Sequence, residues 1–218
     1  MDRDAIAFFD LDGTLVAGQT QQLLVRYLRA KRLVGVADLI GVGLWFGAYK
    51  LGLVKPTDRA RARGAQFMAG HTWVEIDELM REFASEVLKP RLHAGAVEAL
   101  RGHQSEGEYV VVLSAAIQPL VEAVCRPLGV EACEGTRLEL VEGLYSGRIE
   151  GRQLYGAEKA VVARRYLEER GVDPRRCFAY ADHETDLELL RLVGRPVAVS
   201  PRPGLLRVAT ESGWRVIE

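Results

Sequence analysis

The stretch Ala5-Ile6-Ala7-Phe8-Phe9-Asp10-Leu11-Asp12-Gly13-Thr14 decides the fold. Five successive apolar residues leave no face for water, which is the pattern of a strand buried on both sides. Two carboxylates then arrive at its end, followed by a glycine able to turn the chain. Short apolar runs end in polar loops in the same way at Val110–Leu113, Cys177–Ala181 and Pro196–Val199. Between the later runs lie helical patterns: Ile117–Leu128, Glu158–Arg170 closed by Gly171 with Pro174 beyond, and Thr185–Leu192 closed by Gly194,. The alternation predicts an α/β fold with a doubly wound parallel sheet, in which ligands sit at the carboxyl ends of the strands.

The segment from Leu15 to Tyr109 interrupts this alternation with several helical periods and no convincing strand. It reads as an inserted helical domain and a return helix near Ala94–Gln104. The expected pieces are Thr20–Arg32, Val36–Leu53, Thr57–Met68 with Thr57 as N-cap, and Trp73–Leu88, with Pro90 marking the exit,. The expected division is a core of residues 1–16 and 89–218 with a cap of residues 17–88. Leu138–Glu142 and Tyr145–Glu150, around Gly143-Leu144, read as a small hairpin,.

Composition narrows the function. The 218 residues include 29 Lys plus Arg against 30 Asp plus Glu, a net charge of −1, which removes the long-range field of a dedicated nucleic-acid binder,. Three cysteines without CxxC spacing argue against both a disulfide framework and a structural zinc site,. They fit a reducing cytoplasm, the expected location, and Met1-Asp2-Arg3-Asp4 carries no basic leader pattern,. Within Leu33 to Val54, Asp38 and Lys50 leave only Leu39–Tyr49 uncharged, short of the ~18 residues that span a bilayer,.

Asp10 and Asp12, two apart at a strand end, can approach one reacting centre if the chain turns there; read alone, they also fit a solvated strand-end turn. Asp182 and Asp186 flank His183-Glu184-Thr185 after another strand and share one face of a starting helix, though an aspartate there is also an ordinary N-cap,. Four acids at two strand ends repel one another unless a cation lies between them. An oxygen-only donor set favours Mg²⁺ over zinc. Ser114 follows Val110–Leu113, so its hydroxyl and the next backbone N–H groups, beginning at Ala115, could face a phosphate at a helix N-terminus,. Lys159 stands near the start of the following helix. In isolation Ser114 is a cap and Lys159 a solvated lysine.

Taken in order, Asp10-Leu11-Asp12-Gly13-Thr14, Ser114, Lys159, and Asp182 with Asp186 resemble the four motifs of the haloacid dehalogenase superfamily, in its phosphoserine-phosphatase-like branch. The insertion between the first two motifs lies where that branch carries its helical cap, and Gly143 to Gly151 is also similar. The resemblance implies a Rossmann-like core and Mg²⁺-dependent hydrolysis of a small-molecule phosphomonoester through an aspartyl-phosphate. Asp10 would be the nucleophile, and Asp12 the acid and then the base. Asp10, Asp12 (through its carbonyl), Asp182 and Asp186 would make the metal site. Ser114 and Lys159 would hold the phosphoryl oxygens. A phosphotransferase using the same intermediate and a non-catalytic membrane-peripheral protein remain as rival readings.

The sequence departs from the family pattern at two places, the first of which bears on specificity. Phosphoserine phosphatases place a Glu nine residues after the nucleophile to receive the substrate ammonium; here Gln19 stands there, a neutral amide. Ser200-Pro201-Arg202 replaces the common Asn-Pro-Asp and is expected to alter sheet-edge contacts without touching the chemistry. His183 is expected to be a plain loop residue. The apolar Leu39–Tyr49, followed by Lys55, Arg59, Arg61 and Arg63, fits either a helix buried in the cap or a pocket for an ester with a hydrophobic tail,.

Overall fold

The computed structural model describes residues 5–33 and 63–218. The expected helix Val36–Leu53, the apolar stretch Leu39–Tyr49, Thr57, Lys55, Arg59 and Arg61 lie outside the described residues.

The sheet has six parallel strands. In chain order they are β1 (Ile6–Phe9), β2 (Tyr109–Ile117), β3 (Ala132–Thr136), β6 (Phe178–Ala181), β7 (Arg195–Val199) and β8 (Arg215–Ile217); β4 (Leu138–Val141) and β5 (Leu144–Ile149) form a separate antiparallel hairpin. The spatial order is β3-β2-β1-β6-β7-β8. Counted within this sheet it runs 3-2-1-4-5-6, so the order reverses between β1 and β6 and a crevice opens beyond their carboxyl ends. Among the described residues the α-helices are α1 (Thr20–Ala30), α2 (Trp73–Phe83), α3 (Ala94–Ser105), α4 (Gln118–Cys125), α5 (Ala157–Arg170), α6 (Leu187–Leu192) and α7 (Pro203–Ser212).

Strand alternation divides the core. Phe9, Val110, Val112, Tyr180 and Val197 turn to one face, where they meet Leu24 and Leu28 of α1, Met80 of α2, Leu100 of α3 and Leu120 of α4. Ile6, Phe8, Val111, Leu113, Ala179 and Ala198 turn to the other, against Ala163 and Leu167 of α5, Leu189 of α6 and Leu205 of α7. Each large side chain removed from water contributes about 1.5–3 kcal/mol, so the central strands must be apolar on both faces. Thr72 begins α2 with a reciprocal capping box to Glu75, and α5 ends at Gly171 in the left-handed region (φ +63°),.

One strand end differs from expectation. β2 continues through Ser114, Ala115 and Ala116 to Ile117, pairing with β3 across a register shift, and α4 begins only at Gln118. Ser114 therefore lies in the strand and not at a helix N-terminus. The cause is β3, which offers partners to the extended chain beyond Leu113. β3 and β8 themselves are edge strands with little apolar pattern.

The insertion leaves and returns at one place. Val16 bridges Leu92, Ala17 N–H donates to the Arg91 carbonyl at 2.8 Å, and His93 N–H donates to the Leu15 carbonyl at 2.9 Å.

Candidate active site

Asp10 follows β1 and Asp182 follows β6, at the carboxyl ends of the two strands where the order reverses. The strands are held by the pairing of Phe9 with Tyr180, whose rings stack at 4.1 Å, and by Asp10 N–H donating to the Tyr180 carbonyl at 2.9 Å. Beyond Asp10 the chain turns sharply: Gly13 N–H donates to the Val16 carbonyl at 2.8 Å and Val16 N–H to the Leu11 carbonyl at 2.9 Å. Gly13 is required twice over. Its φ is +87°, and a Cβ there would lie 2.3 Å from Asp182 Oδ2,. The glycine thus lets the first acidic loop close onto the second.

Lys159, in the first turn of α5, reaches into this site and is buried. Its ammonium donates to Asp10 Oδ1 at 2.6 Å and to Asp186 Oδ2 at 2.7 Å. Burial disfavours the ammonium, but the two carboxylates outweigh it and raise its pKa,. Thr14 donates its hydroxyl to Asp10 Oδ2 at 3.5 Å, leaving that oxygen the freer of the two. Asp12 turns toward the insertion, where Oδ1 accepts the Thr20 N–H at the start of α1 at 2.6 Å. Burial pushes Asp12 up to about 6, with the backbone bond from Thr20 opposing. Burial, then repulsion from Asp10, raises Asp182 to about 7 and Asp186 to about 6.

Ser114 is fully buried, its Oγ accepting the Ala116 N–H at 3.1 Å, and the Ala115 carbonyl accepts the Thr136 hydroxyl at 2.9 Å. Ser114 stands two residues beyond Val112, the β2 partner of Phe9, so it reaches the same end of the sheet as Asp10. Gln19 is the N-cap residue of α1 and makes no capping bond with its side chain. His183 fills the loop position expected of it, its Nδ1 accepting the Thr185 N–H at 3.1 Å.

The residues present fit a divalent cation. The Lys159 ammonium contacts only Asp10 and Asp186, Asp182 lies close enough to both to be repelled by them, and Asp186 Oδ1 is buried without a hydrogen-bond partner. An all-oxygen set of this charge suits a hard ion. Among the described residues, the group whose ligand atoms all lie within 4.8 Å of one another is a different one, His103, Glu106 and Glu108. It lies at the amino end of the strands, where His103 is already bonded to Glu108 and to the Tyr180 hydroxyl.

A further sequence expectation, beside that for Ser114, needs correction. Arg202 does touch the site: its N–H donates to the Asp182 carbonyl at 2.9 Å, and its Nε lies 3.5 Å from Asp182 Oδ2. The cause is topological, because the loop after β7 opens at the same end of the sheet as the loop after β6. A cation three residues past a strand's carboxyl end was the signal available in the sequence.

Comparison with known proteins agrees with this arrangement. The family model for haloacid dehalogenase-like hydrolases matches residues 7–191. The protein named phosphoserine phosphatase SerB1 from Mycobacterium tuberculosis H37Rv is 32% identical over 99% of this chain and 71% of its own length. The histidinol-phosphatase of Neisseria meningitidis serogroup C is 30% identical over 97% of each chain. A solved structure from Bordetella pertussis Tohama I, of a protein of unknown function, superposes with a TM-score of 0.87 at 29% identity, covering 98% of both chains. With this match spanning most of the residues and all four motif positions, the chain belongs to the haloacid dehalogenase-like hydrolase family.

Proposed function

We propose that this phosphoric monoester hydrolase cleaves a small-molecule phosphate ester through a covalent phosphoryl group on Asp10. The observation that carries the reading is the buried Asp10–Lys159–Asp186 bridge, which holds one oxygen of Asp10 and leaves Oδ2 to attack. As the bond from Asp10 to phosphorus forms, the bond from phosphorus to the substrate oxygen breaks, and Asp12 gives that oxygen its proton. The raised pKa of Asp12, about 6, keeps part of it protonated near neutrality and lets it serve as a base afterwards,. It then takes a proton from the water that displaces Asp10 and releases inorganic phosphate. Ser114 and Lys159 are assigned to the phosphoryl oxygens, with the Ala115 backbone beside them.

Asp10, Asp12 through its carbonyl, Asp182 and Asp186 would hold Mg²⁺. When bound, the ion supplies compensation for the negative charge gathered between phosphate and carboxylates. The relatives' names, phosphoserine phosphatase and histidinol-phosphatase, support a small phosphorylated alcohol as substrate. The adjacent exit and return of the chain at Ala17 and Arg91 supports treating residues 17–88 as a cap on a core of 1–16 and 89–218. Among the described residues no helix is long and apolar enough to cross a membrane. The three free thiols support a place in the cytoplasm,.

Trapping tests the reading. Acid-quenched enzyme taken during turnover of a phosphate-ester panel is digested and read by mass spectrometry, with a phosphoryl group on Asp10 expected. Turnover of Asp10→Asn within tenfold of wild type, or phosphate on another residue, would overturn the nucleophile assignment.

A further inference from the structure

Every carboxylate of the site except one has its neutralising contact inside the pocket. Lys159 serves Asp10 and Asp186, and the α1 N-terminus serves Asp12. Asp182 faces Asp10 and Asp186, which repel it, and its cationic neighbour comes from outside: Arg202, with Nε 3.5 Å from Oδ2. This contact is anchored, because Arg202 N–H donates to the Asp182 carbonyl at 2.9 Å and fixes the two residues relative to each other. The carboxylate lies close against Gly13, where a Cβ would come within 2.3 Å of Oδ2. The two side chains differ in freedom. Asp182 is 6% exposed and Arg202 is 49% exposed, so Arg202 has a path into solvent and Asp182 has none.

We propose that Arg202 is a built-in competitor for the divalent cation at Asp182, a residue that weakens metal binding and so sets the cation concentration at which the site fills. The proposal rests on the reading of Asp182 as a metal ligand. The guanidinium and a bound dication draw on the same carboxylate, and two like charges there repel. Filling the site therefore requires the Arg202 contact to loosen. Because the side chain is half exposed, water screens that contact and the cost is modest. The backbone tie through Arg202 N–H is independent of side-chain identity, so a neutral side chain removes the competition without removing the anchor.

The test is direct calorimetric titration of the full chain with MgCl₂ at about pH 8.5, above the raised pKa of Asp182 so that its charge is the same in every variant,. Arg202→Met should bind Mg²⁺ about three- to fivefold more tightly than wild type, with the gap narrowing at high salt. Arg202→Lys should lie between them. Unchanged or weaker binding in Arg202→Met overturns the proposal. Asp182→Asn separates the two levels of the argument. If it loses Mg²⁺ binding while Arg202→Met stays at wild-type affinity, only the competition is wrong. If Asp182→Asn binds Mg²⁺ as wild type does, the metal assignment itself falls.

Discussion

The ammonium of Lys159 lies 2.6 Å from Asp10 Oδ1 although the two residues are 149 positions apart in the chain. A buried ion pair of this kind is costly to break from one side, because the partner is left charged and dry. Lys159→Met should therefore lower stability by about 3–5 kcal/mol in urea unfolding at neutral pH. It should also cut turnover by about 10²-fold or more, through loss of charge stabilisation around phosphorus. Wild-type stability in this variant would show that Asp10 and Asp186 do not depend on the bridge.

Asp12 carries the proton in the proposed chemistry, and its two roles are separable. In Asp12→Asn an aryl phosphate, whose leaving group needs little protonation, should still phosphorylate Asp10, while alkyl phosphates fail. Phospho-enzyme should then accumulate, because water has lost its base. Quantifying trapped phosphate against turnover checks this. Equal losses for both leaving groups with no accumulation would assign Asp12 a different role.

The site also makes a stability prediction with a definite sign. Asp12, Asp182 and Asp186 rise from 3.8 in the unfolded reference to about 6, 7 and 6 in the folded chain. Between these limits the folded state holds more protons than the unfolded state, so its stability falls as pH increases. Metal-free protein in chelator should melt at progressively lower temperature from about pH 5 to about pH 7.5. Asp182→Asn should flatten that slope. A melting temperature that climbs across the window, or an unchanged slope in the variant, would contradict the burial of these charges.

Specificity turns on Gln19, at the start of α1 beside the Thr20–Asp12 contact. An amide cannot match the charge of an ammonium, and one missing buried charge pair costs on the order of 10²-fold in transition-state binding. kcat/KM on phosphoserine should therefore fall below that on an ester with a larger or more apolar leaving group that carries no ammonium. Gln19→Glu should recover part of the phosphoserine activity. If phosphoserine leads a broad panel with the native Gln19, another group receives its ammonium.

The central strands were readable from sequence because burial on both faces demands unbroken apolar runs, as in Ala5–Phe9 and Val110–Leu113. Helix ends were readable where local chemistry enforces them, as at Gly171. The four motifs, from Asp10 and Asp12 through Ser114 and Lys159 to Asp182 and Asp186, stood out once their order along the chain was considered together. The edge strands β3 and β8 were invisible, since Ala-Cys-Glu-Gly-Thr and Arg-Val-Ile are held by pairing with β2 and β7 and by little apolar pattern of their own. The same pairing drew Ser114 into β2, against the expectation of a helix N-terminus. Electrostatic partners were the least legible. Local periodicity specifies which face of an element is buried, but the approach of Lys159 to Asp10, of Gly13 to Asp182 and of Arg202 to Asp182 depends on which strand ends the sheet order makes adjacent. That order, β2-β1-β6-β7 across the reversal, is set by packing of the whole chain, and only the tertiary structure decided it.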